Sequence, residues 1–256
     1  MDANYVKKYF ESPGTVATWW NPEFGDKSHI FQREEKLIKR YISCLSGRAL
    51  DIACGKGRIS RLVLQNKNLD LESIDLSPEM LDIAEKRNPG LKTHCGDAEQ
   101  LPFEQGSYDL VTCLDALVHF PDFRRSIAEA YRVTKKGGIY ITSTSNPYDI
   151  NYLSRIISKV VRKISGREKT FTKGKDIFQY LTEEEVKKEL EDAGFSIEEV
   201  NRIGVLPPIE FDIGGRKSFY LLTPTMSKRL SSLDEFLESI PLINKLGIIS
   251  VFKAVK

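Results

Sequence analysis

Two glycines and an acidic residue are spaced as in a site that binds an adenosine group. Residues 50–58 (LDIACGKGR) place Gly55 and Gly57 between a strand-like apolar run and a helix-like run. Glycine is needed where the backbone must approach a ligand closely or take a positive φ. Asp75 ends the next apolar run, about 20 residues after Gly55, where an acid can accept both hydroxyls of an adenosine ribose. This pattern predicts a site for an adenosine-containing cofactor.

Two further acids distinguish between the cofactors that such a site could take. Asp51 precedes the glycine turn, where the pyrophosphate of a dinucleotide would add a second negative charge at a cost in free energy. The methionine end of S-adenosylmethionine has an ammonium and a sulfonium, which an acid attracts. Asp97 and the small Ala98 follow the third apolar run, where a carboxylate can accept the adenine amine. The third glycine of the dinucleotide fingerprint is also missing after Gly57. These features favour S-adenosylmethionine over NAD.

Strand-like and helix-like segments alternate around these residues. Strand-length apolar runs occupy 49–54, 69–75, 91–95, 109–114 and 138–143, and helical patterns occupy 34–45, 58–65, 77–87 and 123–134. The helix at 77–87 begins with Ser77, Pro78 and Glu79, which supply an N-cap, a first-position proline and a first-turn acid. Such alternation predicts a parallel sheet with right-handed crossovers. Further along we expect a helix that begins at Thr182 and is closed by Gly194, a strand at 195–200, a helix near 226–239 and a strand at 247–255.

The composition fits one α/β domain and argues against several classes of protein. Of the 256 residues 41% are apolar and 29% are charged, so a sizeable core is expected and wholesale disorder is not. The net charge of +2 argues against a dedicated nucleic-acid binder. No apolar run approaches the length of a membrane span, and the first residues contain no secretion signal. The four cysteines form no C-x-x-C pair, which predicts reduced thiols in a cytoplasmic protein and no metal site.

The ordered motifs resemble those of the class I S-adenosylmethionine-dependent methyltransferases. The similar stretches are Leu50–Gly57, Ile74–Ala84, Gly96–Pro102, Ser107–Pro121 and Arg132–Ile141. They resemble most the small-molecule group that includes the ubiquinone- and menaquinone-biosynthesis methyltransferases. The resemblance covers 48–145 and extends more weakly to 181–195. It implies a Rossmann-like α/β three-layer sandwich, in which a mostly parallel seven-stranded sheet has an antiparallel last strand and helical segments form a cap. The implied activity is methylation of a small-molecule acceptor by in-line displacement.

The resemblance also implies which residues contact the cofactor. The implied roles are Asp51 at the methionine ammonium; Ala53, Gly55 and Gly57 in the turn below the methionine; Asp75 at the ribose; Leu76 and Met80 against the adenine; Asp97 and Ala98 at the adenine amine; and Leu114 on the opposite face. The family usually has glycine where Ala53 stands, which indicates slightly tighter packing at this turn.

Five other residues each have two interpretations. His119 matches a position where the family commonly has histidine, and it could act as a general base or shape the pocket. Tyr9 and Trp20, with the adjacent Trp19, could form a lid over the sulfonium, because an aromatic face attracts a cation, or they could simply pack. Arg33 could pair with the methionine carboxylate or lie in solvent.

The whole chain, 1–256, is expected to form a single domain. Its core would comprise about 34–146 and 181–256, and its cap segments about 1–33, 147–180 and 203–245. Segment 152–175 contains eight Lys or Arg residues, one acid and a helical apolar stripe. It could form a substrate cap, contact an anionic membrane surface, or be solvated and balanced by the acidic helix at 183–192. The oligomeric state stays open.

Two other function classes remain compatible with the residues. An NAD-dependent oxidoreductase would use a similar adenosine site, although Asp51 and the missing glycine disfavour it. A non-catalytic module that binds S-adenosylmethionine would use nearly the same residues as an enzyme. Because the sulfonium is already activated, methyl transfer depends mainly on placing the acceptor, and the lack of an obvious catalytic dyad does not exclude an enzyme.

Overall fold

The computed structural model describes residues 3–11, 29–148, 179–205, 210–212, 218–220 and 231–256. The strands are β1 (Gly47–Ile52), β2 (Leu69–Asp75), β3 (Lys92–Cys95), β4 (Tyr108–Cys113), β5 (Thr134–Ser145), β6 (Ser196–Ile203), β7 (Glu210–Asp212), β8 (Ser218–Tyr220) and β9 (Ile249–Val255). Seven of them form one sheet in the order β3-β2-β1-β4-β5-β9-β6, while β7 and β8 form a separate antiparallel pair. Within the large sheet β1 to β5 are parallel, and β9 is antiparallel to both of its neighbours. This confirms the predicted sheet with its antiparallel last strand.

Eight α-helices lie in the described ranges. They are α1 (Ala3–Glu11), α2 (His29–Ile42), α3 (Arg58–Val63), α4 (Pro78–Arg87), α5 (Phe123–Val133), α6 (Glu183–Ala193), α7 (Ser231–Glu238) and α8 (Pro241–Asn244). A short 3-10 turn occupies Leu117–His119. None of the helices described is both long and apolar enough to span a bilayer. The basic segment 152–175, and the first part of the helix predicted near 226–239, lie outside the described residues.

The helix ends that the sequence predicted are formed by the expected groups. Ser77 caps α4 by accepting the backbone N–H of Met80, and Pro78 is the first helical residue. Thr182 and Glu185 form a reciprocal capping box at the start of α6, and Gly194 ends that helix with a φ of 105°. These local signals depend only on neighbouring residues, which is why the sequence was sufficient to place them.

The sheet is covered on both faces, and adjacent residues of β1 separate the two cores. Ala49 belongs to the cluster that includes Ile38 of α2 and Leu62 of α3. Leu50 belongs to the opposite cluster, with Ile127 of α5 and Val186 of α6. Because successive side chains of a strand point to opposite faces, this alternation produces the three layers that were predicted.

Several strands have bounds that differ from the sequence prediction, and for two of them the structure shows the reason. The first was expected to continue to 54, but β1 ends at Ile52 because Ala53 takes a φ of 52°, which no strand accommodates. The fifth was expected at 138–143, but β5 begins at Thr134. The first part of β5 contains lysines and glycines, so it shows no alternation of apolar and polar residues that would predict a strand. In the structure this part is held by the Gly137 N–H, which donates to the carbonyl of Lys256 just after β9.

Candidate active site

A cavity of about 340 Å³ opens where β1, β2 and β4 end. This is the edge of an open α/β sheet at which ligands bind, and the volume suits a small molecule. The predicted site residues in its wall are Tyr9, Asp51, Ala53, Gly55, Asp75, Leu76, Met80, Asp97, Ala98, Leu114 and His119. Eleven of the fourteen residues proposed from the sequence therefore lie around one space.

The glycine turn has two faces. Gly55 has a φ of 52°, lines the cavity, and a Cβ added to it would meet no atom within 4 Å. Gly57 has a φ of 77°, and a Cβ there would lie 2.4 Å from Nδ2 of Asn88 in the layer behind the turn. Gly57 is thus needed for the turn and its packing against α4, but it is not part of the cavity wall.

Asp75 is held in place by the backbone on both sides of it. Its Oδ2 accepts the Gly55 N–H at 2.8 Å, and its Oδ1 accepts the Ser77 N–H at 2.9 Å. Burial raises the pKa of this carboxyl, while the two backbone donors act in the opposite direction. A carboxylate oxygen accepts more than one hydrogen bond, so Asp75 retains the capacity to accept two ligand hydroxyls.

Asp51 forms the floor of the cavity and belongs to a polar row that crosses three strands. It lies opposite Ser73 of β2 and Thr112 of β4 in the strand registers. Its Oδ2 accepts the hydroxyl of Ser60 from α3 at 2.6 Å, and its Oδ1 accepts that of Thr112 at 2.8 Å. Burial raises the pKa of Asp51 to about 6, although these hydroxyl bonds favour the charged form.

The wall beyond β3 combines one acid with apolar side chains. The Oδ1 atom of Asp97 accepts the Glu99 N–H at 2.9 Å, which orients the carboxylate beside the buried Ala98. Leu76 and Met80 line the cavity on the β2 side, and Leu114 lines it at the end of β4. An acceptor between apolar surfaces is an arrangement suited to a flat heteroaromatic ring with an amino group.

The cavity has an aromatic cover formed by α1. Val6, Tyr9 and Phe10 of this helix are among its lining residues. The Phe10 ring packs edge-to-face on the His119 ring, with centroids 5.5 Å apart. Burial, followed by the neighbouring Tyr5, raises the pKa of the Tyr9 hydroxyl. Trp20, which was expected beside Tyr9, lies outside the described residues, as does Trp19.

The structure places Arg33 in neither of the two positions considered for it, the methionine carboxylate site or open solvent. Arg33 donates to Oδ2 of Asp234 at 2.7 Å and also to Glu238, both in α7, and it is not a lining residue. Helix α2 turns its side chain away from the cavity because two largely buried carboxylates of α7 compete for it. Both carboxylates are distant from Arg33 in sequence, so no local pattern indicates that they pair with it.

A different arginine, missed by the sequence analysis, lies on the cavity wall. Nη2 of Arg58 donates to Oε2 of Glu34 at 2.6 Å and to Oδ2 of Asp115 at 2.7 Å. Asp115 has a φ of 56°, unusual for a non-glycine residue, and its N–H donates to Ser143. One signal was available, since Glu34 occupies an apolar helix face, four residues from both Ile30 and Ile38.

Several of the known proteins that are similar to this chain are methyltransferases. Residues 50–142 match the family described as a methyltransferase domain, Methyltransf_11. The ubiquinone biosynthesis O-methyltransferase of Coxiella burnetii is 28% identical over 206 residues, which cover 76% of this chain and 84% of that protein. The demethylmenaquinone methyltransferase of Staphylococcus aureus is 32% identical over 166 residues, which cover 58% of this chain and 67% of that protein. The chain belongs to the class I S-adenosylmethionine-dependent methyltransferases.

A solved structure shares the fold of this protein over the full length of both chains. Magnesium protoporphyrin IX methyltransferase from Synechocystis PCC 6803, crystallised with S-adenosylhomocysteine, has a TM-score of 0.60 and 18% identity, with 100% of both chains covered. The protein is an enzyme with S-adenosylmethionine as its cofactor. This settles the choice against an oxidoreductase or a binding module. The residues of the cavity fit the cofactor, because its wall combines oriented carboxylates, which accept hydrogen bonds and attract cations, with apolar side chains suited to a flat ring. The described residues contain no group of three His, Cys, Asp or Glu side chains able to hold a metal ion.

Proposed function

We propose that this methyltransferase methylates a small, largely apolar acceptor of the quinone-precursor or lipid-like type. The aromatic and aliphatic cover is the observation that carries the proposal: Val6, Tyr9, Phe10 and Phe120 line the cavity opposite its acidic floor. An apolar cover favours an apolar acceptor, since burying an unpaired polar group costs free energy. The relatives named for ubiquinone and menaquinone synthesis support the same class.

Three carboxylates and apolar walls would hold the cofactor. Asp75 would accept the ribose hydroxyls, Asp97 the adenine amine, and Asp51 the ammonium of the methionine end. Leu76 and Met80 would lie against the adenine, with the Ala98 N–H as a donor, and Leu114 would close the opposite face at the end of β4. Asp115 also lines the β4 end of the cavity, where it pairs with Arg58. The bound cofactor supplies a methyl group on a positively charged sulfur, which makes it a ready electrophile.

The protein's own residues would act by placing the acceptor and by excluding water. Holding two reactants in line contributes on the order of 7–11 kcal/mol to lowering a barrier. The rings of Tyr9 and Phe10 would hold the acceptor under α1. His119, which lies on the cavity wall beside Phe10, would accept the proton of an acceptor hydroxyl. General-base catalysis of this kind contributes about 10²–10⁴-fold in rate.

Binding of the demethylated cofactor tests the site. We expect calorimetry to show micromolar binding of S-adenosylhomocysteine, and Asp75→Ala to weaken it at least about tenfold, or ~1.4 kcal/mol. Asp70→Ala is a matched control, because Asp70 lies on the same strand but pairs with Lys92 at the surface. Unfolding curves of both variants check that the turn held by Asp75 persists. Wild-type protein that binds no S-adenosylhomocysteine would contradict the proposal.

The role of His119 is tested with acceptors that differ in acidity. For a phenolic acceptor we expect His119→Ala to lower kcat about 10²–10⁴-fold while the affinity for S-adenosylhomocysteine is retained. An acceptor that is already ionised at the assay pH should be much less affected, because no proton has to be removed. His94→Ala, in a residue that pairs with Glu72 on the sheet and not in the cavity, is the control. Equal losses for both acceptors would assign His119 a shaping role only.

The cytoplasmic location and a peripheral membrane contact of 152–175 are further parts of this proposal. Their support is the sequence alone, since the segment lies outside the described residues. A lipid-like acceptor would be reached from an anionic bilayer, to which basic amphipathic helices are attracted. Purified protein should then sediment with anionic vesicles at low salt, and a protein that stays in the supernatant would remove the membrane contact.

A further inference from the structure

Arg58 is a buried cation on the cavity wall whose hydrogen-bonding capacity is only partly used. Its side chain is 10% exposed, and its Nη2 serves both Glu34 and Asp115. Its Nη1 is buried and has no hydrogen-bond partner among the described residues. Buried donors in native proteins are nearly always paired, since an unpaired one loses its hydration without replacement. A ligand in the cavity is the natural source of the missing acceptor.

The guanidinium is fixed in position before any ligand arrives. Glu34 holds it from α2, Asp115 holds it from the residues after β4, and the centroid of the Phe31 ring, also in α2, lies 4.5 Å from its Cζ atom. Three contacts from two elements thus restrict one side chain, so little conformational entropy remains to be lost when a ligand binds. A planar guanidinium with a free nitrogen matches a carboxylate better than a neutral acceptor.

The charge of this cluster permits one more carboxylate. Burial, and then Asp115, raise the pKa of Glu34 to about 8, against the opposing effect of Arg58. Both effects disfavour the charged form of Glu34, while the guanidinium of Arg58 compensates the charge of Asp115, which it contacts directly. A carboxylate that approaches Nη1 therefore meets a guanidinium nitrogen that no group among the described residues already occupies.

The sheet order indicates which part of the cofactor reaches Arg58. Asp97 follows β3 and Asp75 ends β2, so the proposed adenine and ribose positions lie on one side of β1. Arg58 follows the turn after β1, and its partner Asp115 follows β4 on the other side. A cofactor with its nucleoside over β3 and β2 must extend its amino-acid end toward β1 and β4.

We propose that Arg58 receives the α-carboxylate of the amino-acid end of S-adenosylmethionine, and that Glu34 and Asp115 are its positioning residues. This inference rests on the cofactor placement proposed above. It gives Arg58 the role that the sequence had suggested for Arg33. A carboxylate on the acceptor has the same chemistry, and the experiment therefore has to separate the two sources.

Three ligands isolate the carboxylate contact without relying on activity. They are S-adenosylhomocysteine, its decarboxylated analogue, and methylthioadenosine, which lacks the whole amino-acid end. In calorimetric titrations wild-type protein should bind S-adenosylhomocysteine about 10- to 100-fold more tightly than the decarboxylated analogue. Arg58→Gln should bring that ratio close to one and leave methylthioadenosine binding unchanged. Arg61→Gln is the matched control, because Arg61 lies in the same helix but pairs with Glu35 at the surface. It should retain the wild-type ratio.

The outcomes separate this inference from the function on which it rests. If wild-type protein binds none of the three ligands, the cofactor placement fails, and the inference fails with it. If it binds S-adenosylhomocysteine and the decarboxylated analogue equally, only the carboxylate contact is refuted, and this comparison needs no variant that could misfold. Arg58→Lys preserves the positive charge but lacks the parallel N–H donors of a guanidinium, so it should keep part of the preference for S-adenosylhomocysteine over the decarboxylated analogue. An unchanged ratio in Arg58→Gln, accompanied by a higher KM for a carboxylated acceptor, would assign the anion to the acceptor and overturn the proposal.

Discussion

At the residue scale, Asp51 shows how a strand register can prepare a charged group. Its neighbours across the sheet, Ser73 and Thr112, are small hydroxyl residues on the same face, and Ser60 of α3 lies above them. Each carboxylate oxygen accepts one of these hydroxyls, and the ion pairs of the described residues do not include Asp51. The carboxylate is therefore oriented without being neutralised, and burial keeps its proton affinity high.

This environment predicts a defined pH dependence of stability. The pKa of Asp51 is raised by burial to about 6 in the folded protein, whereas an unfolded aspartate ionises near about 4. Between these values the folded protein holds a proton that the unfolded chain has released, so the free energy of unfolding falls as pH rises. Relative to Asp51→Asn, wild-type protein should lose roughly 3 kcal/mol between about pH 4 and pH 7. Urea unfolding of both proteins across this range measures it, and parallel curves would contradict the assignment.

At the scale of elements, α2 connects the core, the site and α7 within little more than two turns of helix. Ile30 and Ile38 pack in the core, Glu34 holds Arg58 at the cavity, and the adjacent Arg33 joins α7. A helix can do this because successive residues point about 100° apart, so neighbours in sequence face different partners. The position of α2 is therefore coupled both to the cavity and to the C-terminal helices.

The ion pairs of Arg33 predict a loss of stability without a loss of binding. Arg33→Gln would leave Asp234 and Glu238 as buried carboxylates without their cation, at a cost of about 3 kcal/mol in the free energy of unfolding. Affinity for S-adenosylhomocysteine should remain within about twofold of wild type once the protein is folded. Arg40→Gln is the control in the same helix, because its pair with Glu199 is exposed and worth less than about 1 kcal/mol. A large loss of affinity with unchanged stability would restore the first assignment of Arg33.

At the scale of the whole molecule, the cofactor site joins many separate elements of the first half of the chain. The cavity wall contains residues of α1, the turn after β1, the end of β2, the segment after β3 and the 3-10 turn that follows β4. A ligand that contacts all of these binds the folded state and not the unfolded chain. Its binding free energy therefore adds to the stability of the fold as a whole.

Cofactor binding should consequently raise the melting temperature. At S-adenosylhomocysteine concentrations near 100 times the Kd the stabilisation is about 2.7 kcal/mol. For a chain of this length that corresponds to a rise in Tm of ~5–10 °C. NAD at the same concentration should give no comparable rise, because its pyrophosphate would meet Asp51. A larger shift with NAD than with S-adenosylhomocysteine would contradict the cofactor assignment.

The sequence by itself determined the features that depend on neighbouring residues or on strand periodicity. The glycine turn, the caps of α4 and α6, the strand–helix alternation and the acids after successive strands could all be inferred. Parallel strands end at one edge of their sheet, and residues that follow them must therefore meet there. That topological rule is why acids as far apart in sequence as Asp51 and Asp97 could be assigned to one site.

Only the tertiary structure decided which long side chains meet. Arg33 and Arg58 both lie close in sequence to predicted site residues, and apart from the acid on the apolar face of α2 no local pattern indicates the partners of either arginine. The distinction arises because Asp234 and Glu238 lie against one, while Glu34 and Asp115 lie against the other. A long cation reaches whichever carboxylates the fold brings close, and those partners come from separate parts of the chain. Sequence periodicity determines the face on which a residue lies, and packing between elements determines what that face contacts.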